Sequence, residues 1–188
     1  MLLLLAYFLG IAVGLSLTAP PGPVNSVIMS ESMRSKVHGI SVGAGAMTAD
    51  FIFFVIVYKF GRLIPETYLH ALYIIGALLL FYLSYSVLKS KSSQRTRGGN
   101  YAVGFSMGIT NPFQILWWIT VGLFFIRSFH ILAIAGLFSG IVIWIVTFPL
   151  LMNRYAKRFE KYVKLFSFIV LFSFAVYLMF SGISSIAR

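Results

Sequence analysis

Asp50 is the one acid deep inside a long apolar run, Val37 to Tyr58. A charged side chain at the centre of a bilayer costs about 2.5–3.5 kcal/mol on insertion scales. A carboxyl kept there has three uses: carrying a proton, binding the amine of a solute, or capping broken backbone. Broken backbone is expected nearby. Pro20-Pro21-Gly22-Pro23 interrupts the first apolar stretch, and Asn111-Pro112 interrupts a later one. A proline inside a helix removes a backbone hydrogen bond and frees a carbonyl. In lipid, such backbone is tolerated only where it is buried in protein or lines a cavity. The short piece beginning at Val24 would aim its first amides into that cavity, which suits a carboxylate. Ser16, Thr18, Asn25, Asn111 and Gln114 flank the breaks. Each could bind a solute or repair freed backbone, with Asn25 and Asn111 the leading binders. The candidate substrate or ion site is therefore Asp50, Pro20, Pro21, Gly22, Pro23, Asn25, Asn111, Pro112, Gln114, Ser16 and Thr18. Thr48 and Ser106 are weaker candidates.

The elements that must position these residues follow from composition. The chain has 188 residues, of which 60% are hydrophobic and 10% charged. A soluble domain carries about 25% charged residues, so this chain cannot clothe a water-facing surface and belongs in a membrane. The excess of 15 Lys and Arg over 4 Asp and Glu gives a formal charge of +11. In a soluble protein that would suggest nucleic acid, but charges this sparse build no basic groove, and no nucleic-acid partner is expected. Met1 to Gly14 lacks a basic leading segment and a cleavage site, and reads as a retained helix.

About 20 apolar residues span a bilayer core. The runs are Leu2–Ala19 with a second piece at Val24–Met33, then Val37–Tyr58, Thr67–Leu88, Tyr101–Ile126 across Asn111-Pro112, Ile131–Met152 and Leu165–Ala187. Six spans result. The fold class is an all-α membrane protein forming one transmembrane domain over residues 1–188. It divides into a repeat of about 1–88, a basic cytoplasmic linker at 89–100, and a second repeat of about 101–188. Cytoplasmic loops are enriched in Lys and Arg. Arg34, Lys36, Lys89, Lys91, Arg95, Arg97, Arg154, Lys157, Arg158, Lys161 and Lys164 fall on one side. Only Lys59, Arg62, Arg127 and Arg188 fall on the other. This bias places both termini outside a plasma or inner membrane. It also brings the basic stretches against anionic headgroups.

Three spans per half make the second half enter the membrane in the opposite direction. Pro23 and Pro112 fall at corresponding places, Asn25 matches Gln114, and Gly14-x-Ser16 matches Gly104-x-Ser106 with a one-residue slip. Two inverted three-helix repeats with broken first helices are therefore expected. In transporters of that plan the substrate lies near the midplane, at the broken helices.

The remaining polar residues read as structural. Glu31 is spaced to pair with Arg34 or Lys36 on a helix. Glu66 suits a helix start, and Glu160 sits among basic residues in a solvated loop. Gly39, Gly43, Gly45, Gly136 and Gly140 allow helices to approach closely. Trp117, Trp118 and Trp144 are expected to face lipid or the interface. Zero cysteines exclude disulfides, thiol redox chemistry and thiolate metal sites. His38, His70 and His130 are scattered near span ends, so neither a metal site, a cofactor nor an intramembrane catalytic pair is expected. The inverted plan, with its broken helices and one deep acid, points to a secondary transporter of a small solute. The alternatives are a cation or metal exporter, for which one deep acid is a poor ligand set, and a non-transporting membrane protein. The costly helix breaks argue against the latter.

The stretch Gly14-Leu15-Ser16-Leu17-Thr18-Ala19-Pro20-Pro21-Gly22-Pro23-Val24-Asn25 resembles the N-terminal signature of the lysine-exporter (LysE/RhtB-type) translocators. So do the basic turn at Arg34–Lys36, the glycine-rich second span ending in Asp50, and Gly104…Asn111-Pro112. The resemblance covers nearly the whole length. It implies export of amino acids or similar solutes, coupling to the proton gradient or membrane potential, and often a homodimer. The chain departs from the family in Phe113-Gln114 after the second break and in its tryptophans, which bear on substrate identity more than on fold.

Overall fold

A computed structural model of the chain describes residues 2–20, 22–89 and 100–186. Pro21 and residues 90–99, the heart of the basic linker, lie outside the described residues, as do the side chains of Pro23, Pro112 and Glu66. All regular structure among the described residues is helical.

Helix α1, Leu2–Thr18, is apolar on every face. Thr18 ends it by donating its hydroxyl back to the Gly14 carbonyl at 2.7 Å, just before Pro20 prevents continuation. Gly22 is fully extended, at φ −153° and ψ −179°, and α2, Pro23–Arg34, restarts with proline in its first turn. Proline suits that position because the first amides of a helix lack intrahelical partners anyway. A single extended residue, Ser35, separates α2 from α3, Lys36–Phe60. A one-turn tight helix at Gly61–Leu63 leads to α4, Glu66–Lys89.

The second half repeats the device. Helix α5, Tyr101–Ile109, is capped by the Asn100 side chain, which accepts from the Ala102 and Val103 amides. The chain then bends by 60°. Asn111 caps α6, Pro112–Trp117, by accepting from the Phe113 amide at 3.0 Å. A widened turn, Trp118–Gly122, joins α6 to α7, Leu123–Ser128. Such π-type turns are rare and concentrate at functional sites.

Helical backbone continues without a break through α8, Ile131–Ile186. The basic stretch Asn153–Lys164, expected as a loop, is helical here, because Ala, Lys, Arg and Glu favour helix and neither Gly nor Pro interrupts them. The side chains of 152–161, Glu160 included, are not among those described. α8 is not straight. The Phe174 ring lies 5.6 Å from Phe125 and 6.3 Å from Phe129, which all but adjoins the start of α8. A straight helix would carry Phe174 about 65 Å away from Ile131 at 1.5 Å per residue. The run therefore folds back, giving two apolar arms, Ile131–Leu151 and Phe168–Ser184.

Among the described residues, three helices are long and apolar enough to cross a membrane, at Lys36–Leu63, Thr67–Tyr85 and Ile131–Leu151. The bent α5–α7 unit makes a fourth. The apolar pieces Leu3–Thr18 and Phe168–Ser184 are shorter. Many large apolar side chains point outward, among them Leu4, Phe8, Phe51, Leu78, Ile169 and Phe180. Such a surface is at home in lipid.

Glycine sets which helices touch. α1 packs on the first arm of α8, where a Cβ on Gly14 would collide with the Leu137 carbonyl and one on Gly140 with the Ile11 carbonyl. α3 packs on α5 in the same way. There a Cβ on Gly104 would collide with the Val42 carbonyl and one on Gly45 with the Tyr101 carbonyl. α4 packs on α8 through Leu80, Leu171, Ala175 and Leu178.

Candidate functional site

These packings leave a cavity of about 240 Å³ where the two helix breaks face α3 and α8. Thr18, Pro20, Gly22 and Asn25 line it from the first break, and Asn111 and Gln114 from the second. Asp50 enters from α3. Trp117 and Trp118 enter from the end of α6, and Trp144 from α8.

Asp50 lies about 21 Å along α3 from Lys36 at the helical rise. Its Oδ1 accepts a hydrogen bond from the Trp118 indole at 2.8 Å. Gln114 borders the same carboxyl. The Gln114 amide reaches that carboxyl, whereas the Trp117 Nε1 is buried without a hydrogen-bond partner. Buried donors are nearly always paired, and leaving one unpaired costs about 1–3 kcal/mol. Such a donor bordering the cavity is suited to an acceptor on a bound solute. Gly22 adds room, since nothing lies within 4 Å of where its Cβ would be.

Asn25 holds the first break together. Its Nδ2 donates to the carbonyls of Thr18 at 2.5 Å and Pro20 at 2.7 Å. Those carbonyls lie where the proline-rich segment stops the helix from continuing. Its Oδ1 accepts from the Trp144 indole at 3.2 Å. Asn111 does the corresponding work at the second break, capping α6 while bordering the cavity.

Not every candidate from the sequence reaches this space. Ser16 is fully buried and donates to the Val13 carbonyl at 2.8 Å, within its own helix. Thr18 borders the cavity, but its hydroxyl proton is engaged by Gly14. Thr48 accepts from the Tyr101 hydroxyl at 2.8 Å, in the α3–α5 contact. Pro23 and Pro112 begin the two short helices. Glu31 is buried, with Arg34 at 3.4 Å and His38 at 3.7 Å, so the expected pairing with Arg34 is joined by a histidine.

The tryptophans overturn an expectation. Trp117 is 5% exposed and Trp118 1%, so both are buried at the cavity rather than facing lipid, and the half-buried Trp144 borders it as well. The sequence carried a signal for them. Trp117-Trp118 follows the Asn111-Pro112 break by one helical turn and a half, and a lone buried carboxyl needs a nearby donor.

The family model for the LysE type translocators matches residues 15–182. The Bacillus subtilis (strain 168) protein named "Putative amino acid efflux protein YcgF" is 28% identical over 155 residues, covering 71% of this chain and 74% of its own length. No solved structure matches the chain. With its apolar helices, this is a multi-pass membrane protein and a translocator, and the chain belongs to the LysE type translocator family.

Proposed function

We propose that this protein is a secondary transporter that exports amino acids or closely related metabolites from the cytoplasm. The observation that carries the reading is the cavity's pairing of opposite chemistries. Asp50 is an acceptor suited to an ammonium. The first turn of α2 has no side-chain cap and presents the positive end of its dipole to the same space. The unpaired indole N–H of Trp117 adds a further donor at the cavity. A zwitterion would set its amine at Asp50 and its carboxylate toward the start of α2. The name of the Bacillus relative points the same way.

Six spans in two inverted halves support the transport plan. The contacts come in exchanged pairs: Gly14 on Leu137 matches Gly104 on Val42, and Gly140 on Ile11 matches Gly45 on Tyr101. In each match the first-helix residues differ by 90 positions and the second-helix residues by 95. Thus α1 meets the second repeat's middle helix as α5 meets the first repeat's. The breaks of both halves then fall at one central cavity, where alternating access requires the site. The Lys and Arg bias keeps both termini outside. Coupling to the proton gradient runs through Asp50, the one carboxyl among the described residues that borders the cavity.

The test is efflux from proteoliposomes loaded with a panel of amino acids, with and without a proton gradient. Amino-acid efflux that Asp50→Asn abolishes in a folded protein is the expected result. Wild-type transport by Asp50→Asn would sink the proton-carrier role. Efflux of a cation with no efflux of any amino acid would favour the cation exporter instead.

A further inference from the structure

The lining of the cavity is more selective than an amino-acid site needs to be. Among the described residues, Asp50 is the only charged one that borders it. One ammonium therefore finds a counter-charge, and a second ammonium would not. A second carboxylate would meet no Lys or Arg among the described residues there either. An ion taken from water into such a place without a partner is strongly disfavoured. Glu31 lies one turn beyond Ile28 on α2, outside the lining, and already faces Arg34 and His38.

The rest of the lining is apolar and has a direction. Gly43 lies two turns before Asp50 on the same face of α3, about 10 Å along it at the helical rise. There Ile145 and Ile28 close on the bare glycine. Met47 stands between the two levels, and Leu137 and Ile141 border the cavity from α8. A volume of about 240 Å³ is below the roughly 300–1,000 Å³ of pockets for drug-sized ligands.

We infer that the solute is a neutral amino acid with an apolar side chain. Its side chain lies toward Gly43, Ile28 and Ile145, and dibasic and dicarboxylic amino acids are rejected. This rests on the reading of the cavity as an amino-acid site.

The experiment compares leucine, valine and methionine with lysine, arginine and glutamate. Efflux is measured from proteoliposomes of the full chain, and tryptophan emission is titrated in detergent. Because all three tryptophans border the cavity, emission reports occupancy independently of transport. Leucine and methionine should leave about tenfold or more faster than lysine and glutamate, the scale expected for stranding one buried charge. Only the neutral apolar solutes should shift the emission. Lysine or glutamate leaving as fast as leucine overturns the inference while amino-acid export stands. No efflux and no emission change with any amino acid overturns the underlying reading of the cavity. Met47→Glu places a second carboxyl one turn from Asp50 and should turn the preference toward lysine. A folded Met47→Glu protein that still prefers leucine also overturns the inference.

Discussion

The Trp118 indole donates to the Asp50 carboxyl at 2.8 Å, joining the second half's broken helix to the first half's central helix across 68 positions. This bond fixes where the deep acid points. A hydrogen bond to a charged group contributes about 1.5–3 kcal/mol. Trp118→Phe keeps most of the ring's bulk and removes the donor. Export should fall about tenfold, at roughly 1.4 kcal/mol per tenfold, and the same lost bond should lower Tm in detergent by several degrees without unfolding the protein. Unchanged export by a folded Trp118→Phe protein would show that the bond does not position Asp50 for transport.

Asn25 acts differently. It ties Thr18, Pro20 and Trp144 together through three hydrogen bonds. At about 1 kcal/mol each, their loss in Asn25→Ala amounts to roughly 3 kcal/mol. For a domain of this size that lowers Tm by about 6–12 °C. Asn25→Asp keeps the acceptor for Trp144 and loses both donors, so it should also destabilise. A Tm for Asn25→Ala equal to wild type would return Asn25 to the list of direct solute binders.

The glycines divide into two kinds. A Cβ on Gly104 would fall on the Val42 carbonyl, whereas one on Gly22 would meet nothing within 4 Å. Gly104→Ala should therefore force α5 off α3 and cost about 1–3 kcal/mol or more. Gly22→Ala should leave stability near wild type, because its φ of −153° suits any residue. Thermal unfolding in detergent checks both, and equal stability of the two variants would contradict the close α3–α5 packing.

The absence of cysteine in the sequence makes topology directly testable. Ser93→Cys in the basic linker should react with an impermeant maleimide only from the cytoplasmic face. Ser128→Cys, at the end of α7, should react only from the outer face. Labelling of both from one side would break the six-span arrangement with both termini outside.

Much of this was legible in the residue order. Apolar runs of about 20 residues, the two proline breaks and the isolated Asp50 are local facts of the chain. Hydropathy and proline geometry act over one or two helical turns, so they can be read without knowing what lies across the membrane. That reading put the apolar helices and breaks close to where they are found, to within a few residues. It did not separate the two roles open to Asn25 and Asn111. It assigned the tryptophans to lipid, because an apolar helix carries no mark of which side meets its neighbours. Tertiary packing decided those points. Only the approach of the Trp118–Gly122 turn to α3 gives Trp118 its acceptor. Only the packing of the first arm of α8 against α1 and α2 brings Trp144 to Asn25. The sequence determined that a costly acid and two costly breaks exist. The fold decided that they share one cavity, because bare glycine contacts draw α1 to α8 and α3 to α5 closely enough to bring the breaks together.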